Sequence, residues 1–394
     1  MIYNFDEPID RRGTNSLKCE FLDKTLNVDV DCVPMWVADT DFRIAPCIAE
    51  ALQNRMSHQI LGYTLRTGSF YQAVADWQKR RHGWNVSPEW VSFCPGVVSG
   101  IAVAISQFTN PGDKILVQTP VYHPFFQTVR NLGRQVVFNS LLNVDGRAQI
   151  DFADLEQKAN GATMLLLCNP HNPVGRVWSR QELERVADIC RRNGVMVVSD
   201  EIHSDLVYAP NHFVPFATIG DWAATNSITL SAPSKAFNIA GLSTSYAIAS
   251  NPDILKMYNA GLDAFHIGFG NVFGNVALES AYTDGADWLD QMLAYLDGNV
   301  NFAIDYAECN IPQMRIIRPE ATFLLWCDCR AFGMEEEELS YFFAHKAKVA
   351  VNMGSVFGPE GQGFVRMNIG CTRATLEKAL NRIARCVKQQ RASV

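Results

Sequence analysis

Residues 163–203 read TMLLLCNPHNPVGRVWSRQELERVADICRRNGVMVVSDEIH. Two short apolar runs, TMLLLC (163–168) and VMVVS (195–199), bracket a polar, periodic stretch. Runs this continuous read as strands buried on both faces, the mark of a parallel sheet. The stretch between them reads as a helix. Ser179 and Glu182 have the spacing of a capping box. Leu183, Val186, Ala187 and Cys190 share one face, and Gly194 stops the helix. A strand, a helix and a second buried strand make a right-handed crossover unit.

The same rhythm extends both ways. VSF (91–93), KILVQT (114–119), QVVF (135–138), SITLS (227–231) and SYAIAS (245–250) are further apolar runs. The expectation is an α/β fold: a large domain over residues 46–285, built on a mainly parallel seven-stranded sheet. After it the pattern changes. Residues 286–309 read as one long helix, followed by strand-like MRII, TFLLWCD, VAVNMG and FVRMNIG and a last helix from Thr372. That predicts a smaller α+β domain over 286–394. The first 45 residues show little periodicity and are expected to pack on the small domain or on a partner subunit.

The bulk numbers exclude several classes. In 394 residues, 48% hydrophobic and 19% charged, a large core is available and disorder is not expected. A net charge of −7 with interspersed signs argues against a nucleic-acid surface. No apolar run is long enough for a membrane span, and MIYNFDEPIDRRG lacks the apolar core of a signal peptide. Eleven scattered cysteines without a C-x-x-C fit a reducing, cytoplasmic setting. Cys327 and Cys329 share a strand face, but no second Cys/His pair stands at ligand spacing. They read as buried thiols, and no metal is expected.

In open α/β sheets ligands sit beyond the carboxyl ends of the strands. After VSF come Gly96, Val97 and Val98, where a tight glycine turn would open a helix and leave free amides for a phosphate. After KILVQT comes Tyr122, a flat ring. After TMLLLC comes Asn172, in a loop stiffened by two Asn-Pro pairs. After VMVVS comes Asp200, with His203 three residues on. After SITLS comes SAPSKAFNIAGL (231–242), where Lys235 lies among Ser231, Ser234 and apolar residues. Each has a bland alternative: a common turn, packing, a turn asparagine, a helix cap, a solvated lysine. Together they describe a pyridoxal phosphate site. The lysine forms a Schiff base, and the buried acid keeps a pyridine nitrogen protonated.

The order PGV, Y, NPHNPVG, DEIH, SKAFNIAGL and FVRMNIG resembles the fold-type I pyridoxal phosphate enzymes of the class I/II aminotransferase superfamily, over nearly the whole chain. With VPMWVADTDF and DEIHSDLV, it is most similar to the MalY/PatB family of C–S β-lyases. The resemblance implies Lys235 as the Schiff-base lysine, Asp200 on the pyridine nitrogen and Asn172 on the ring oxygen. It implies Tyr122 stacked on the ring and Gly96, Val97, Val98, Ser231 and Ser234 around the phosphate. Arg366 would bind the substrate α-carboxylate, and Tyr63 would reach the phosphate of a neighbouring subunit in a homodimer. Trp36 is a candidate wall of the leaving-group pocket. Two positions depart from typical aminotransferases: His203 stands where many have a tyrosine, and Ser243 where many have a phosphate-binding arginine. The implied activity is α,β-elimination of L-cystathionine and other cysteine S-conjugates. The alternative is an amino-acid aminotransferase. A third reading, a fold kept only to bind a partner, is opposed by Lys235, Asp200, Asn172 and Arg366 standing together.

Overall fold

The computed structural model of the chain describes residues 1–22, 28 and 31–392. Its central sheet has seven strands: β1 (Val91–Cys94), β2 (Lys114–Val117), β3 (Gln135–Phe138), β4 (Ala162–Cys168), β5 (Met196–Asp200), β6 (Ser227–Ser231) and β7 (Ser245–Ile248). They lie in the order β1-β7-β6-β5-β4-β2-β3. Every pairing among β2 to β6 is parallel, and β7 alone runs antiparallel, between β1 and β6.

The continuous apolar runs have the expected cause, which is cover on both faces. Met164, Leu166, Cys168, Val198, Ile228 and Leu230 enter one apolar cluster. The alternate residues Leu165, Leu167 and Val197 enter another, with Leu183 and Val186 of the helix Arg180–Asn193. That helix begins as read: the Ser179–Glu182 capping box is formed, and Gly194 ends it at φ +67°.

The second sheet is antiparallel, in the order Arg315–Ile317, Leu324–Asp328, Phe364–Asn368, Asn352–Met353. It packs with the helices Ala286–Asn310 and Arg373–Ala392. VAVNMG is split rather than one strand. Val349–Ala350 pairs in parallel with Val33–Pro34, and Asn352–Met353 turns into the sheet. The amino-terminal segment is thereby tied to the smaller sheet. The expected boundary at residue 285 is densely packed: Trp288 stacks on Phe237 at 6.0 Å.

Because β2 to β6 are parallel, and β1 runs in their sense, the loops after all of them leave at one edge. Helix Val97–Phe108 comes close to this edge at Gly100. A side chain there would meet Leu230 and Tyr258, each 2.9 Å from the position of a Cβ. Gly100→Leu is expected to destabilise the protein by about 1–3 kcal/mol through overpacking, read as a lower urea midpoint. A variant as stable as the parent would contradict this packing.

Candidate active site

Asp200 ends β5 and is only 5% exposed. Its carboxylate accepts one hydrogen bond, from the Ile202 amide at 3.0 Å. Burial pushes its pKa up to about 7, against that amide and the Lys235 charge. Among the described residues no cation lies within ion-pairing distance of it. The acid is buried and lacks a positive partner.

Arg366, on the strand Phe364–Asn368, has the opposite need. It is 4% exposed, and its donors reach only neutral acceptors. Nη1 donates to Asn172 Oδ1 at 3.1 Å, and Nη2 to the Trp36 carbonyl at 2.9 Å and Asn352 Oδ1 at 2.7 Å. Nε has no partner. Burial lowers its pKa to about 10. A guanidinium in this state is a ready fork for a carboxylate.

Lys235 lies within Coulombic reach of both. Burial, then the Arg366 charge, lower its pKa to about 8, with Asp39 and Asp200 opposing. Its amine donates to the Ala38 carbonyl at 2.7 Å. The Tyr122 amide donates to the Asn172 carbonyl at 3.0 Å, which joins the loops after β2 and β4. The Tyr122 hydroxyl feels both Arg366 and Asp200, and burial raises its pKa. His203 is buried edge-on to Phe323, and its Nδ1 has no partner. Burial, with Lys235 and Arg366, lowers its pKa to about 3, so the ring is neutral. Val97 begins a helix with no side-chain cap, leaving its first amides to be satisfied otherwise.

Several expected details are corrected. Gly96 is extended, at φ 178°, so no tight turn requires a glycine there. The Ser231 hydroxyl is buried and donates to the Glu201 carbonyl at 3.2 Å, so it does not face outward; Ser234 is half-buried. The Trp36 indole does not line the site. It is buried among Leu22, Val28, Cys32 and Ala350, and donates to the Lys18 carbonyl at 3.1 Å. Only the Trp36 carbonyl reaches Arg366. Tyr63, expected to serve a neighbouring subunit, is no correction: it is wholly exposed beside Phe269. Ser243 is exposed too. Cys327 and Cys329 are buried thiols in the core, as expected, and burial pushes the Cys327 thiol up to about 12.

Sequence reasoning missed Asn352, Asn368 and the carbonyls of residues 36–39. Asn368 Nδ2 donates to the carbonyls of Val37 and Asp39. All lie inside VAVNMG, FVRMNIG and VPMWVADTDF, but residues 36–39 act through backbone carbonyls, which residue identity does not mark, and the two asparagines act as polar residues on strands. A cavity of about 750 Å³ near Arg147, Arg176 and Glu320 contains none of the site residues. There Arg147 and Arg176 both pair with Glu320.

The model of the aminotransferase class I and II family matches residues 31–383. The chain belongs to this family. Within it, the chain is 44% identical over 384 residues to cystathionine beta-lyase PatB of Bacillus subtilis, covering 96% of this chain and 98% of the relative. Cystalysin from Treponema denticola, whose crystal structure contains a pyridoxal 5'-phosphate cofactor, superposes with a TM-score of 0.96 at 36% identity. That match covers 99% of this chain and 100% of cystalysin. The pyridoxal-phosphate-bound C–S lyase from Staphylococcus hominis gives a TM-score of 0.91 at 34% identity, over 98% of each chain.

The Asp200 shift sets a stability test in this family member. Its folded pKa lies above the unfolded value of 3.8, so folding takes up a proton and stability falls as pH rises from about 4 to 7. In cofactor-free protein, Asp200→Asn is expected to flatten that fall and raise the urea midpoint at pH 8. A lower midpoint at pH 8 would contradict an unpaired buried carboxylate.

Proposed function

We propose that this chain is a pyridoxal-phosphate-dependent carbon–sulfur β-lyase. It converts L-cystathionine and related cysteine S-conjugates to a thiol, pyruvate and ammonia; cystathionine gives homocysteine. One observation carries the reading: a half-buried amine shared between a buried acid with no cation and a buried guanidinium with no anion. Those are the complements of a protonated pyridine ring and of an amino-acid carboxylate. The comparisons supply the reaction class.

The residues fit the cofactor. Asp200, which burial makes reluctant to stand alone as an anion, holds a proton on the pyridine nitrogen. Asn172 keeps its amide nitrogen for the ring oxygen, because its Oδ1 already accepts from Arg366. Tyr122 would cover the ring, His203 would lie beside it as a neutral imidazole, and the amides from Gly96 to Val98 with Ser234 would take the phosphate. The helix amino-terminus offsets phosphate charge where Ser243 replaces an arginine. Pyridoxal phosphate, when bound, supplies the electron sink for the pair left on the substrate Cα.

The chain's own residues do the rest. Arg366 binds the α-carboxylate through both arms of its fork. Lys235 takes the Cα proton at Nζ, and burial favours this by holding its pKa near 8 rather than the ordinary 10.5. The Cβ–S bond breaks with its electron pair on sulfur, and the thiolate leaves. The remaining 2-aminoacrylate reacts with water to give pyruvate and ammonia. The Cys327 and Cys329 thiols stay out of this, buried elsewhere.

The working unit we propose is a homodimer. Tyr63 lies exposed against Phe269, and Ile60, Leu61 and Leu65, its neighbours in sequence, are exposed as well, apolar side chains that a second copy would cover. Tyr63 of that copy would then reach the phosphate. Sedimentation at micromolar protein is expected to give twice the chain mass, and a monomer carrying full activity would contradict the shared site. A cytoplasmic setting accords with eleven cysteines scattered along the chain without a C-x-x-C.

The family description favours one second reading, amino-acid transamination. A panel of cysteine conjugates separates the two. Thiol and pyruvate released from cystathionine without a keto-acid acceptor support the lyase, and a strict acceptor requirement overturns it. Lys235→Ala is expected to abolish turnover. Arg366→Gln is expected to lower kcat/KM by about 30- to 1,000-fold, mostly through KM, as loss of a buried charge pair of about 2–4 kcal/mol implies.

A further inference from the structure

The segment Trp36–Phe42 runs between the two sheets, and every carbonyl from Trp36 to Asp39, with that of Phe42, accepts a side-chain hydrogen bond. The Trp36 carbonyl accepts from Arg366, Val37 from Asn368, Ala38 from Lys235, and Asp39 from Asn368. The Thr40 amide donates to Asn238 Oδ1, and the Phe42 carbonyl accepts from Asn238 Nδ2. The Asp41 amide donates to the Gly370 carbonyl. These few residues therefore touch the amine, the carboxylate fork and the loop that carries Lys235.

A cluster of four charges holds this segment from behind. Arg11 grips Asp39 with both arms, Nη1 at 3.0 Å and Nη2 at 2.7 Å, and reaches Asp41 at 2.8 Å. Lys18, whose side chain is 0% exposed, lies 2.9 Å from Asp41 and 3.6 Å from Asp39. Burial works against the Lys18 charge, but Asp41 and Asp39 outweigh it, so its pKa ends above the ordinary value. Lys18 is fully buried and its three partners are half-buried, so the cluster costs desolvation that simple apolar packing would avoid. Such a cluster fixes position: Asp39 is adjacent in sequence to the carbonyl that holds Lys235.

We propose that Asp39, clamped by Arg11 and Lys18, is a positioning residue of the active site: it seats the Trp36–Asp39 backbone between Lys235 and Arg366 and keeps a negative charge beside the lysine amine. Four charged or titratable groups face that amine. Asp39 comes from this segment, Arg366 from the small sheet, Asp200 from the end of β5, and His203 from the turn after it. The first of these is the one whose charge the clamp controls. The inference rests on the reading of Lys235 as the cofactor lysine.

The test loads the parent, Asp39→Asn, Lys18→Met and Lys18→Arg with pyridoxal phosphate and follows the visible band against pH. Removing the Asp39 charge is expected to lower the midpoint by about one pH unit, as loss of a nearby opposite charge does. Removing the Lys18 charge leaves Asp39 less neutralised and is expected to raise the midpoint, and Lys18→Arg restores it. A merely structural clamp gives no such opposite shifts. Midpoints that stay at the parental value, or move in the same direction, overturn the role of Asp39. If Asp39→Asn does not fold, Lys18→Met decides: a rise supports the role, and no rise overturns it. A parent that develops no pH-dependent band sinks the assignment of Lys235 as well, which separates the two failures.

Discussion

The site depends on an electrostatic mismatch that the fold keeps open. A carboxylate, Asp200, and a guanidinium, Arg366, are both buried, and neither meets the other or any other counter-charge among the described residues. In most cores such groups would pair, because an unpaired buried charge is costly. Here they are held apart on different sheets, with Lys235 within reach of both. The shifts follow from this one circumstance: the acid up to about 7, the arginine down to about 10, the lysine down to about 8. Each group is poised for a charge that a ligand brings.

Topology makes that arrangement possible. Parallel strands deliver Asp200 and Asn172 to the same edge, because β4 and β5 pair with Cys168 opposite Asp200. Strand β7 returns antiparallel beside β6, so the connecting loop folds back over the edge and carries Lys235 with it. Arg366 arrives from the other sheet. The strand that bears it pairs with Leu324–Asp328 on one side and Asn352–Met353 on the other, which fixes the fork's direction. The amino-terminal segment then closes the junction with backbone carbonyls.

What was legible in the sequence follows the same physics. Strands buried on both faces leave continuous apolar runs, so SITLS and QVVF match their observed strands residue for residue. The helix after Ser179 was legible because capping chemistry is local. Lys235, Asp200 and Asn172 stood out by their place after such runs, and Arg366 only through the family resemblance. Side-chain direction was not legible. Nothing in SITLS tells that the Ser231 hydroxyl turns to the Glu201 carbonyl, nor in VPMWVADTDF that the Trp36 ring faces away from the site while its carbonyl faces in. The direction of β7 was hidden as well, since an apolar run carries no sign of its sense. Nothing in the sequence marks Lys18, because the acids it pairs with lie more than twenty residues along the chain, at no helical or strand spacing.

The account stands on the amine at position 235 being the one that bonds the cofactor. Borohydride reduction of the protein loaded with pyridoxal phosphate, followed by digestion and peptide mass spectrometry, tests this most directly. The account predicts the reduced cofactor on the peptide containing Ser231 to Leu242, at Lys235 and nowhere else. Cofactor fixed on another lysine, or on none, would contradict it.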